Sequence, residues 1–196
     1  MKEIIVESLK KAITYEEYRS LVNSLILEGK STGDNQSEEL LNYSVLNDKR
    51  MKRLDKTIEI SQESIEKVKK IDKQQTWLVL TEGWCGDAAQ NLPIINKLAK
   101  ENTNINLQLV LRDENKVLMD RFLTNGGRSI PKLIALDENK DVIATWGPRP
   151  TEATKMVKDY KEKNGKLDAK FKKDLQIWYN KNKGRNTEQD LTSLLS

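Results

Sequence analysis

Trp84-Cys85-Gly86-Asp87-Ala88 holds the one cysteine of the chain, where an apolar run gives way to a helical pattern. A sulfur placed there meets the unpaired amides of a first helical turn and the positive end of the helix dipole, both of which stabilise an anion. Cysteines so placed have thiol pKa values of roughly 3.5 to 7.5, and the thiolate is the species that attacks a disulfide. Asp87 opposes this, since a carboxylate nearby favours the neutral thiol. The competing reading of Cys85 is a small buried hydrophobe, the usual fate of a free cysteine. Gly86 and the strand-to-helix position favour an exposed, reactive sulfur instead. With one cysteine no disulfide can close within the chain, so redox chemistry must pass through a bond to another molecule. Histidine is absent, which removes the usual general base for a Cys or Ser nucleophile and the commonest protein metal ligand. Neither a protease triad nor a zinc site is expected, and no resident cofactor is called for.

Two further segments have types and spacing that bear on the same chemistry. Gly126-Gly127-Arg128 leads into Ser129-Ile130-Pro131, about 45 residues after the cysteine. Arg128 is either a cation that steers an anionic substrate or stabilises the thiolate, or a surface arginine without such a role. Trp146-Gly147-Pro148-Arg149-Pro150 either lines the cleft beside the sulfur or serves as a rigid strand-to-helix connector, and its prolines favour the connector. Trp84 either docks a partner next to Cys85 or packs on the neighbouring loop.

The elements that must position these residues follow from periodicity. Thr14-Tyr15-Glu16-Glu17 reads as a capping box, followed at helical spacing by Tyr18, Leu21, Val22 and Leu25. After a glycine-bearing loop at residues 30–37, helical pattern runs from Glu38 to Ile71 with a break expected near Asn47 and Asp48. Leu54, Ile58, Ser61, Ile65 and Val68 share a face that serves either intramolecular packing or a dimer surface, and the oligomeric state stays open. Trp77 to Thr81 is strand-like, Asp87 to Lys100 helical with a kink at Pro93, Ile105 to Leu111 a strand and Glu114 to Leu123 a helix. Lys132 to Leu136 and Val142 to Trp146 make a hairpin around Asp137 to Lys140. Helices over Thr151 to Lys163 and Leu167 to Asn180 precede a polar tail. The order predicts an α/β fold with a central mixed sheet flanked by helices. Residues 1–72 are expected as a helical extension, 73–182 as the main domain and 183–196 as the tail.

Composition sets the surroundings. Of the 196 residues 33% are charged and 37% apolar, with a net charge of +4, a balance that marks a folded, soluble helix-rich protein. The longest apolar stretch near the start, Ile4 to Val6, is too short for the core of a signal peptide, and no run approaches a membrane span. A cytoplasmic location without membrane contact is the expectation. Between Lys155 and Arg185 eleven Lys or Arg stand against four Asp or Glu. A solvated helix face, with Tyr160, Phe171, Trp178 and Tyr179 as buried stripe positions, explains this better than nucleic-acid binding, which is not expected.

The Trp84-Cys85-Gly86 motif after an apolar strand, followed by Ser129-Ile130-Pro131 and a hairpin, resembles the thioredoxin family over residues 73–163. Asn47 to Asp55 and Trp146 to Pro150 extend the likeness to bacterial thioredoxin-like proteins with a helical N-terminal extension. The resemblance implies a thioredoxin-like fold, a cis bond before Pro131, contact between that proline and the sulfur, and an Ile130 backbone that pairs with an extended substrate. It implies Cys85 as the catalytic thiol with Ile130 and Pro131 as substrate-binding residues; Trp84, Gly86, Asp87 and Arg128 are candidate substrate-binding residues from their own types and places. Two departures limit it. Ala88 stands where the family has its second cysteine, and Val79 stands where it buries an Asp. The dithiol cycle cannot run, and the function expected is monothiol exchange through Cys85 with protein or small-molecule disulfides, resolved by an external thiol; the alternative is a non-catalytic peptide-binding module, and a weaker third reading is carriage of an iron–sulfur cluster by a dimer.

Overall fold

A computed structural model describes residues 1–195. Its first part is helical: α1 (Lys2–Leu9), α2 (Tyr15–Leu27), α3 (Glu38–Thr57) and α4 (Gln62–Lys69). The capping box at α2 is closed from both sides, with the Glu17 N–H donating to the Thr14 hydroxyl at 3.2 Å and the Thr14 N–H donating to the Glu17 carboxylate at 2.7 Å. Ser37 and Ser61 cap α3 and α4 with their hydroxyls. Each cap satisfies an amide with no carbonyl in its own helix, typically for about 1 kcal/mol.

Strands β1 (Gln75–Thr81), β2 (Ile105–Leu111), β3 (Lys132–Leu136) and β4 (Val142–Trp146) form one sheet in the order β2-β1-β3-β4. β1 and β2 are parallel with Val79 opposite Leu109, whereas β3 runs antiparallel to β1 with Leu133 opposite Val79. β4 returns antiparallel to β3. Every β1 residue from Thr76 to Thr81 is buried, which is why the sequence there is a continuous apolar run: both faces are covered.

The helix that leaves β1, α5 (Gly86–Lys100), is buried without interruption from Ala88 to Asn96. A helix buried all round lies between two layers. Here one layer is the sheet, and the other is made by α3, α4 and the last helix, α9 (Arg185–Leu195). Between them in the chain come α6 (Lys116–Met119), α7 (Thr151–Asn164) and α8 (Ala169–Asn182). Leu54, Ile58 and Val68 are buried in the main core together with Leu92 and Ile95, so most of the stripe read in the sequence is spent inside the chain.

Three local expectations change. The break falls at residues 58–61 and not at Asn47 and Asp48, which stay helical because their side chains are used: Asn47 donates to the Gly83 carbonyl at 3.0 Å, and Asp48 pairs with Arg19 at 3.0 Å and Lys52 at 2.8 Å. The helix expected from Glu114 to Leu123 shrinks to four residues. The segment expected as a polar tail forms α9, entered through Lys183 and Gly184, both at positive φ. Its polar residues satisfy buried groups, and among the described side chains Leu191, 0% exposed, is the one buried apolar residue of the helix.

Candidate functional site

Cys85 is the N-cap of α5, and the loop that presents it is clamped from the helical segment. The Gly83 N–H donates to the Thr32 hydroxyl at 2.8 Å, the Gly83 carbonyl accepts from Asn47, and the Cys85 N–H donates to the Glu82 carbonyl at 3.1 Å. The sulfur accepts the Ala88 N–H at 3.4 Å and donates its own hydrogen to the Ile130 carbonyl at 3.3 Å. The first contact favours a thiolate; the second exists only for the thiol. The Ile130–Pro131 peptide is cis, and so is Gly147–Pro148. Gly147 is at φ +107, and a Cβ there would lie 2.2 Å from the Pro131 carbonyl oxygen, so the connector after β4 is seated on the proline loop.

The exposed, acidic thiol expected from the helix tip is not what the packing produces. Cys85 is 8% exposed. Burial is the largest influence on it and the Asp87 carboxylate the next. Together they outweigh the Ala88 and Asp87 amides and the Arg149 cation, and the thiol is pushed up to about 12. Helix position alone does not lower a thiol pKa once the sulfur has lost its water.

Asp87 belongs to a network the sequence did not reveal. Its carboxylate pairs with Arg149 at 2.6 Å, the two side chains being 11% and 25% exposed, and accepts from the Tyr179 hydroxyl at 3.0 Å. Asn91 donates to the Asp87 carbonyl and to the Tyr179 oxygen, while Thr187 donates to Asn91. α5, α8 and the connector thus meet at one carboxylate, and α9 joins the network through Asn91. Burial pushes Asp87 up against the opposing pull of Arg149. Arg149 therefore reaches the sulfur's neighbourhood, where the sequence had favoured a plain connector. A lone Arg between two prolines carried no signal of its partner, 62 positions away in the chain.

Glu82 was also missed. It is 0% exposed and accepts from the Asp113 N–H at 2.9 Å, and burial pushes its carboxyl up. The one available hint was an acid placed directly after the β1 apolar run. Arg128, by contrast, is exposed and held in a two-pronged pair with Asp120 at 2.6 and 2.8 Å, a contact that accounts for its charge without the thiol. Trp84 is half-buried, with the Arg112 guanidinium 4.8 Å from its ring centroid. Ile130 is buried and its carbonyl is occupied by the thiol.

Above the sulfur lies a cleft of about 600 Å³, between α3 and the start of α8, with Trp84, Cys85, Gly86 and Asp87 at its base and Arg149 at its side. Ile130, Pro131 and Arg128 are not among its walls. Trp84, Cys85, Gly86 and Asp87 line the cleft, and Arg50 of α3 and Lys172 of α8 stand with them, which the sequence did not announce. Among the described residues, no helix is long and apolar enough to cross a membrane.

Comparisons with known proteins extend the geometry. A protein of unknown function from Pseudomonas aeruginosa has a similar structure, at 14% identity and TM-score 0.59, with 93% of this chain and 96% of that one covered. An HIV epitope-scaffold is similar at 16% identity and TM-score 0.56, with 93% and 97% covered. Likeness at these identities is a likeness of fold. No curated protein matches. A family model described as thioredoxin matches residues 33–161, so the match begins in the helical segment before α3 and runs through the sheet into α7. A match across that much of the chain means that it belongs to the thioredoxin family.

Proposed function

We propose that the chain is a non-catalytic thioredoxin-fold binding protein whose ligand sits in the cleft over Cys85, with the sulfur kept as a neutral thiol. The observation that carries this reading is the hydrogen bond from the buried thiol to the Ile130 carbonyl at 3.3 Å, a contact that only the protonated sulfur makes. Burial and the Asp87 carboxylate push the thiol up to about 12, so the thiolate is a minor species at neutral pH. The lone cysteine in Trp84-Cys85-Gly86-Asp87-Ala88 supports a place in the bacterial thioredoxin-like subgroup with a single site cysteine, and we propose a cytoplasmic location with it.

A second reading, monothiol exchange, is favoured by the Ala88 N–H directed at the sulfur. In it the Cys85 thiolate attacks one sulfur of a protein or small-molecule disulfide and expels the other half as a thiolate. An external thiolate then attacks the mixed disulfide and releases Cys85. Both steps need the deprotonated sulfur, which the burial opposes. The two readings separate in one assay: reduction of a glutathione mixed disulfide by the intact chain with glutathione as the resolving thiol. The binding reading expects no Cys85-dependent rate, the Cys85→Ser variant matching the parent. A rate at least ten-fold above that variant establishes exchange and removes the binding reading.

A further inference from the structure

The cleft carries more positive charge than its own acids use. Asp87 is committed to Arg149 at 2.6 Å. Arg50, Lys172 and Lys173 line the same cleft, and among the described residues none of them has an ion-pair partner, whereas Lys170 one turn earlier is paired with Asp174 at 3.1 Å. The Arg50 guanidinium donates one hydrogen bond, to Asn47 at 2.9 Å, and is half-buried, with its burial first and the nearby Arg53 second pulling its pKa down. Glu39 is the only uncommitted acid among the lining residues. Arg149 adds a buried Nε without a partner. A half-buried guanidinium with free donors is a costly arrangement that an anion relieves, and its planar fork suits a carboxylate.

The walls have the opposite character. Leu40 and Tyr43 of α3 face Phe171 and Leu175 of α8, with Leu167 closing one end. Tyr43 is 39% exposed although it stands beside these apolar side chains. A volume of about 600 Å³ lies within the range of small-molecule sites, roughly 300–1,000 Å³. We infer that this cleft binds a small amphipathic organic anion, its acidic group on Arg50 and its apolar body between α3 and α8. This rests on the binding reading and names the ligand class for it. The charge surplus selects the sign of the ligand, and the apolar walls select its body.

Decanoate, used below its micelle threshold, is the probe, titrated into the full chain and followed by calorimetry and by backbone amide NMR. The expected result is saturable one-site binding with shifts centred on Tyr43, Gly86 and Phe171, at least ten-fold tighter than decanol and than decyltrimethylammonium. Arg50→Gln is expected to weaken decanoate at least five-fold, and Lys158→Gln on the outer face of α7 to leave it unchanged. The paired variant Lys172→Gln/Lys173→Gln, on exposed positions of α8, supplies the same comparison where Arg50→Gln does not fold. Equal affinity for decanol and decanoate, unsaturable shifts spread over the surface, or poly-glutamate binding where decanoate does not, overturns the inference. The mixed-disulfide assay on the same samples keeps the two claims apart. An inert thiol with no decanoate binding sinks only the ligand class, whereas turnover with decanoate bound sinks only the non-catalytic reading.

Discussion

Asp87 and Glu82, two carboxyls that burial pushes up, lie within three residues of the sulfur in the chain. Asp87 lies next to the sulfur and keeps it protonated, while Arg149 and Tyr179 hold Asp87 in place. Asp87→Asn is expected to lower the Cys85 pKa, read from alkylation rate against pH, and to destabilise the fold. Removing one partner of a fully buried ion pair costs about 3–5 kcal/mol, and Arg149, 25% exposed, recovers part of that from water. Glu82 is the second. Its carboxyl is raised in the folded chain above the ordinary 4.5, so the folded state holds the proton more tightly than the unfolded one. The stability from this preference is complete below the unfolded value and is lost as pH rises through the folded one. Glu82→Gln keeps an oxygen for the Asp113 amide without the charge. It is expected to raise the urea midpoint at pH 8 more than at pH 4; an equal change at both would show that Glu82 is not held protonated. Of these residues the sequence disclosed the cysteine and its acidic neighbour. Arg149, Glu82 and Tyr179 stayed hidden because their meaning lies in partners brought close only by the fold.

At the scale of elements, legibility followed periodicity. β2, β3 and β4 and the capping box at α2 were readable because each rests on a local rule: alternation, a turn flanked by apolar runs, or reciprocal side-chain caps. α9 was not, because its buried face is mostly polar. Asn186, Thr187, Glu188 and Thr192 are buried, and Glu188 accepts from the Ser61 N–H and hydroxyl at 3.0 and 2.8 Å, which ties α9 to the start of α4. A helix whose packed side is filled by hydrogen-bonded polar groups has no apolar stripe to read. Leu191→Ala tests whether this helix belongs to the core. The expected loss is about 2–5 kcal/mol, measured by chemical denaturation, as for a buried leucine, and a loss below about 0.5 kcal/mol would return the segment to the status of a tail.

On the scale of the whole molecule, the segment before the sheet does more than cover one side of it. Thr32 and Asn47 fix the Gly83 turn, α3 walls the cleft from one side and α8 from the other, and α5 runs between the layers with its capping sulfur at the bottom. The thiol's acidity is therefore set by what is packed around it, and the sequence, which shows the helix tip but not that packing, points the other way. The direct test is the rate of Cys85 alkylation by iodoacetamide across pH, in the intact chain and in the same chain unfolded in urea. A folded thiol that stays slow through neutral pH and rises only in strongly alkaline solution, with an apparent pKa near 12, against an unfolded one near the ordinary value of about 8.5, is the outcome expected. A folded pKa at or below the unfolded one would mean that the site presents a thiolate, and the account given for it would fail.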